Sequence, residues 1–95
     1  MSMVGTAGYK DAVGKLRELA DDLGTRGFAT TLVTGGVVPS LTVVNRDATH
    51  LSDTIYAAAG RDTSWYLWWS WSQRISPVQD TAAAVDIIAR VLAAR

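Results

Sequence analysis

Apolar residues in the first quarter of the chain recur every three to four positions, at Ala12, Val13, Leu16, Leu19, Ala20 and Leu23. Lys10, Asp11, Lys15, Arg17, Glu18, Asp21 and Asp22 fill the positions between them. This spacing predicts an amphipathic helix from Tyr9 to Leu23 with one stripe turned to a core. Gly24 and Gly27 are its expected stops, because glycine accepts the left-handed backbone that ends many helices. Residues 1–8 carry no such period and are expected to form a flexible N-terminus. Lys15 and Glu18, three apart, are spaced for a surface ion pair worth a few tenths of a kcal/mol.

At Phe28 the period changes from 3.6 to two. Phe28 to Thr34 is β-branched and apolar, Gly35-Gly36 reads as a hairpin turn, and Leu41 to Asn45 reads as a second strand preceded by Pro39. After the turn-rich Asn45-Arg46-Asp47-Ala48, a third strand from Asp53 to Ala58 leads through Gly60-Arg61-Asp62 into Trp65-Tyr66-Leu67-Trp68-Trp69-Ser70-Trp71, which holds all four tryptophans. Ser76-Pro77 breaks the strand pattern. Asp80 is then a good N-cap for a final helix from Thr81 to Ala94, with Val85, Ile88, Ala89 and Leu92 as its stripe and Asp86 and Arg90 four apart in the favourable order.

Consecutive strands with short connections predict antiparallel pairing, since parallel pairing needs a longer crossover. The expected fold is α+β: one domain spanning 1–95, order α-β-β-β-β-α, a four-stranded antiparallel meander with both helices on one face. Side chains alternate across a strand. The more apolar set, Phe28, Leu32, Leu41, Val43, Ile55, Leu67, Trp69 and, at its end, Trp71, is assigned to the helices. The opposite face then carries Thr31, Val33, Thr42, Val44, Tyr56, Tyr66 and Trp68. Threonine, valine and amphipathic aromatics suit a binding surface or a homodimer seam, because Tyr and Trp combine large contact area with a polar handle. Trp68 reads either as a contact for a partner or ligand or as edge packing; Trp65, Trp69 and Trp71 read as core.

Composition narrows the partner. Nine basic and nine acidic residues balance, with no run of like charge, so nucleic acid and an anionic membrane surface are not expected. No uncharged apolar run reaches the roughly 20 residues that span a bilayer, and no basic segment followed by an apolar stretch opens the chain. A cytoplasmic protein is the expectation. Cysteine is absent, which removes disulfides, thiol catalysis and cysteine-based zinc sites. Seven Arg against two Lys, with abundant Ala, is a composition associated with GC-rich genomes and carries no mechanism.

Candidate chemistry is thin. Asp47, His50 and Ser52 are the residue types of a hydrolytic triad, but three such residues in one short turn rarely reach the geometry, and no oxyanion element accompanies them. Asp47, His50 and Asp53 could ligate a metal, yet there is no second histidine. His50 is read as an exposed or turn-capping residue, and no cofactor is expected. Gly35-Gly36 lacks the spacing and lysine of a phosphate loop. Arg74 could stack on an indole or bind a carboxylate; the structural alternatives are a cation over Trp71 or a cap on a neighbouring chain end.

The segment Trp-Tyr-Leu-Trp-Trp-Ser-Trp-Ser-Gln-Arg-Ile-Ser-Pro (65–77), followed by an Asp-started, Ala-rich helix ending Ile-Ile-Ala-Arg-Val-Leu, resembles a group of small uncharacterised actinobacterial proteins, some encoded near helix-turn-helix regulators. The resemblance covers mainly residues 25–95. It implies a bacterial cytoplasmic protein accessory to a regulator and supplies no activity. The residues themselves lead to a non-enzymatic interaction module that works through the Trp68 face, as a homodimer or with a protein partner. The alternative is a regulator binding a small apolar ligand in an aromatic-lined pocket.

Overall fold

The computed structural model describes the backbone of residues 3–93 and the side chains of residues 8–93. Helix α1 (Met3–Thr25) is followed by strands β1 (Phe28–Val33), β2 (Ser40–Asn45), β3 (Ser52–Ala59), β4 (Trp65–Trp68) and β5 (Arg74–Pro77), and the order closes with helix α2 (Thr81–Val91). The strands form one antiparallel sheet in the order β1-β2-β3-β4-β5. The domain is α+β with a meander, but it has five strands where four were expected.

The fifth strand corrects the reading of the tryptophan segment. β4 ends at Trp68, and a tight turn follows in which Ser72 donates its N–H to Trp69 O (3.0 Å) and Trp69 donates to Gln73 O (2.9 Å). Ser72 takes a left-handed φ of 68°, the geometry that closes hairpins built on a type I turn. The chain therefore doubles back, and residues 74–77 pair with β4 through a bulge at Leu67/Trp68. Pro77 does not prevent this, because a proline is tolerated on an edge strand whose outer side needs no N–H donor. Trp71 lies in the turn and is not a core residue: it is 54% exposed and stacks on Trp69, with ring centroids 4.8 Å apart and planes at 6°. Trp69 beneath it is only 4% exposed.

Alternation holds through the paired registers. Phe28, Leu41, Val43, Ile55, Ala57 and Leu67 are buried, and they form a single cluster with Ala12, Leu16, Leu19 and Leu23 of α1 and Ala84, Val85, Ile88 and Leu92 of the α2 segment. Leu32 and Trp65 are partly buried against it. α1 lies mainly over β1 and reaches β2 and β3, whereas α2 packs against α1 and β5. Both helices were expected to lie side by side on one sheet face; instead α1 covers the β1 side, and α2 packs on α1 and the β5 edge.

Helix boundaries follow from packing as much as from pattern. The backbone is helical from Met3, six residues ahead of the expected start; Met1 and Ser2, the beginning of the expected flexible segment, lie outside the described residues, as do residues 94 and 95. Gly8, poor in helix propensity, stands where a Cβ would come within 2.8 Å of Trp65 Nε1, so its missing side chain makes room for the indole. Gly27 supplies the positive φ (93°) that turns the chain into β1. Asp80 caps α2 by accepting from Ala83 N (3.1 Å). Asp86 is engaged not by Arg90 but by Arg26 (2.8 Å), which ties α2 to the turn after α1; Lys15 and Glu18 pair at 3.5 Å. Gly35-Gly36 is part of a longer connection, 34–39, which Tyr9 pins by donating its hydroxyl to Gly36 O (3.2 Å) and accepting from Gly35 N (3.1 Å).

Asn45 is the buried polar link between sheet and helix. Its amide donates to Leu92 O (2.8 Å) at the end of α2, while its carbonyl oxygen accepts from Asp47 N (2.9 Å). Asn45→Ala leaves a buried helix-end carbonyl without its donor and should cost about 1–3 kcal/mol, measured by urea unfolding. Thr63, a β-branched residue at φ 67° in the β3–β4 turn, is strained in the opposite sense. Thr63→Gly should raise stability by about 1 kcal/mol in the same measurement.

Candidate functional site

The face of the sheet turned away from the core is ordered in rows by strand register. One row crosses all five strands: Val33, Ser40, Tyr56, Trp68, Arg74. Beside it run Thr31, Thr42 and Thr54, with the Thr42 and Thr54 hydroxyls 3.5 Å apart. Ala29, Val44 and Ser52 form a further row, and Ala58, Tyr66 and Pro77 another. The seven positions expected on this face, Thr31, Val33, Thr42, Val44, Tyr56, Tyr66 and Trp68, are therefore brought together on it. Val33 (48%) and Tyr56 (37%) are its most exposed large side chains.

Its β3–β5 half is an organised aromatic cluster. Tyr66 meets Trp68 edge to face, with centroids 6.1 Å apart and planes at 75°. The Arg74 guanidinium sits 4.0 Å from the Tyr66 ring centroid and 5.4 Å from that of Trp68, within the range in which a ring quadrupole attracts a cation. Arg74 is thus a stacking residue, but over Tyr66 and Trp68, not Trp71. Trp68 donates Nε1–H to Ala58 O (3.1 Å), which fixes the indole against the sheet and leaves its polar atom satisfied. The half-buried ring is consequently both packed and presented.

Tyr66 is oriented from the neighbouring turn. Its hydroxyl donates to Asp62 Oδ2 (2.7 Å), and Asp62 Oδ1 accepts from Ser64 N (3.1 Å). The Tyr66 hydrogen bond holds the Asp62 carboxyl below the ordinary carboxylate range, and the same bond, with some desolvation, pushes the Tyr66 phenol up. Close by, Val38, Tyr56, Ala58, Trp68, Trp69, Ser70 and Ser72 line an open depression of about 420 Å³. Ser70 is held there by Asp53, which accepts from its N–H (3.2 Å) and hydroxyl (2.5 Å).

This last contact bears on the candidate chemistry near His50. Asp53 is committed to Ser70, and His50 is exposed in the β2–β3 turn. Among the described residues no three His, Cys, Asp or Glu side chains are grouped to hold a metal ion, and no helix is long and apolar enough to cross a membrane. What sequence reasoning missed on the sheet face is Ala29, Ser40, Ser52, Thr54, Ala58 and Pro77, together with the position of Arg74. Extending the alternation by one residue would have found Ser40. Arg74 could not be placed opposite Trp68 without knowing that residues 74–77 are a strand.

No family model, curated protein or solved structure matches the chain.

The Asp62–Tyr66 bond sets a pH dependence of known sign. Asp62 has its folded value depressed, so its contribution is present at neutral pH and is lost as pH falls through that value. Tyr66 has its folded value raised, so its contribution is present below the ordinary phenol range and is lost as pH rises through the folded value. Tyr66→Phe should return the Asp62 titration upward toward the ordinary carboxylate range, followed by carbonyl NMR, with little change in stability because both groups are solvent-exposed.

Proposed function

We propose that the chain is a non-enzymatic interaction module that binds a protein, a second copy or a different one, through the outer face of its sheet. The observation that carries this reading is the five-strand row from Val33 to Arg74, in which Tyr56, Trp68 and Arg74 stand together on a face over which no helix is packed among the described residues. Aromatics and arginine are the residue types that dominate binding energy at protein interfaces. The Ala58 bond to Trp68 and the Asp62 bond to Tyr66 already set the geometry of two of the rings on this face, so less side-chain entropy remains to be lost there on association. The resemblance of residues 65–77 supports a role accessory to a bacterial regulator in the cytoplasm.

A second reading, a regulator for a small apolar ligand, rests on the depression beside Trp68. Its volume of about 420 Å³ lies within the usual span of ligand sites, but it is open on one side. Saturable quenching of tryptophan fluorescence by a small apolar compound in a monomeric sample would favour it.

Two adjacent tryptophans separate core from binding face. Trp69→Ala should empty part of the core and cost about 3–5 kcal/mol of stability. Trp68→Ala should cost far less stability and weaken association by about 2 kcal/mol or more. Denaturant melts at several concentrations, run beside sedimentation and retention of partners from host extract, separate the two effects. Val37→Ser, an exposed change in the β1–β2 loop, serves as control. Equal, concentration-independent destabilisation by both tryptophan variants, or binding indifferent to Trp68→Ala, would overturn the reading.

A further inference from the structure

The two edges of the sheet are unlike. β5 is short, carries Arg74, contains a bulge with β4 and ends in Pro77, which has no N–H to offer; these are devices that discourage pairing with another strand. β1, Phe-Ala-Thr-Thr-Leu-Val, has six residues in unbroken register with β2 and contains no charge, proline, glycine or bulge. Its free side can be assigned residue by residue. Arg46 donates its N–H to Gly27 O (3.3 Å), which makes Phe28↔Asn45 a non-hydrogen-bonded pair. Alternation then directs the backbone groups of Ala29, Thr31 and Val33 to β2 and those of Phe28, Thr30 and Leu32 to the open edge. Three N–H and three C=O groups stand in a row there.

The helix above that edge is patterned as its own complement. The Asp22–Arg26 side of α1 is taken by α2, through the Arg26–Asp86 pair. The other flank borders β1, where Arg17, Ala20 and Asp21 line an open groove of about 330 Å³ with Thr30 and Leu32. Arg17 and Asp21 are exposed and form no salt bridge among the described residues. One turn beyond Asp21 on this flank stands Gly24, where a Cβ would meet nothing within 4 Å among the described residues.

We infer that the β1 edge pairs with β1 of a second copy, antiparallel about a two-fold axis at Thr30, to make one ten-stranded sheet. Thr30 then faces Thr30 of the second copy and Phe28 faces its Leu32, so that all six outward backbone groups of each chain are paired. The same axis runs the two α1 flanks past each other in opposite directions. Arg17 meets Asp21 of the second copy and Asp21 meets its Arg17, while the small Ala20 and Gly24 on the same flank allow close approach. Strands about 4.8 Å apart leave two helices the usual packing distance of about 8–10 Å only if each is set back from the open edge, and α1 extends inward from that edge to reach β2 and β3 as well as β1. This surface is distinct from the outer face and does not depend on what that face binds.

Sedimentation velocity and light scattering of the full chain from about 1 to 100 μM test the inference. The expected result is a dimer of twice the 10.2 kDa chain mass. Thr30→Pro removes only an outward N–H and leaves the β1–β2 ladder intact, so it should give a monomer with the wild-type circular dichroism spectrum. Arg17→Asp should weaken the dimer about tenfold, and Arg17→Asp combined with Asp21→Arg should restore it. A wild-type monomer at 100 μM overturns the proposal. So does a dimer that survives Thr30→Pro, and its loss in Trp68→Ala would move the seam to the outer face. If Thr30→Pro does not fold, the charge series decides: loss and restoration support the edge dimer, and indifference to both changes overturns it. Partner binding lost only in Trp68→Ala and dimerisation lost only in Thr30→Pro would identify two independent surfaces.

Discussion

A sheet has two faces, and the apolar stripes of both helices in this chain enter one core against one of them. Every other feature follows from how that constraint is met. Because side chains alternate strictly along a strand, the residues that satisfy the helices also determine which residues are left on the far side. Leu41, Val43, Ile55 and Leu67 are completely buried, and a slip of one residue in any pairing would exchange them for Thr42, Val44, Tyr56 or Trp68. The cost of exposing such a set makes the register unambiguous. The composition of the outer face is therefore as firmly set as that of the core, although nothing in the chain packs over it among the described residues.

The turn after Trp68 turns this alternation into a shaped surface. Had β4 continued to Trp71, Trp69 and Trp71 would both have demanded cover from the helices. Instead the backbone reverses at Ser72, Trp69 enters the core and Trp71 lies flat on it. The same reversal lays β5 beside β4 and brings Arg74 over Tyr66 and Trp68. A cation at this point adds attraction to the rings and supplies a hydrogen-bond donor on an otherwise uncharged stretch of the sheet. Asp53 contributes from the other side by holding Ser70, so one short turn is fixed by side-chain bonding as well as by its own backbone.

Small domains have little surplus stability, and this one combines economies with local costs. Glycine at position 8 is compensated by the Trp65 indole, whereas a Cβ at Gly14 or Gly24 would meet no neighbouring element among the described residues. One sheet edge carries proline, charge and a bulge, while the other carries none of them. A folded monomer needs neither asymmetry. Joined at β1, two outer faces would lie side by side, with the Thr31 rows nearest the axis and the aromatic clusters at the far ends. A partner would then meet two copies of the Trp68 site on one surface, the arrangement in which the second contact gains from the first.

The sequence alone determined the class of the fold, the identity of four of the five strands and the division of their side chains between two faces. Those properties depend on local periods, 3.6 for a helix and two for a strand, which any reader of the chain can count. It also determined the Asp80 cap and the Lys15–Glu18 pair, both set by spacing within a single helix. Only the tertiary structure decided the fifth strand, the exposed place of Trp71, the partners of Asp86 and Arg74, and the link from Asn45 to Leu92. Each of these joins residues whose meeting depends on where the chain turns back. The turn at Trp69–Ser72 has no glycine or proline to announce it; its left-handed residue is a serine, held there by the pairing of the strands on either side.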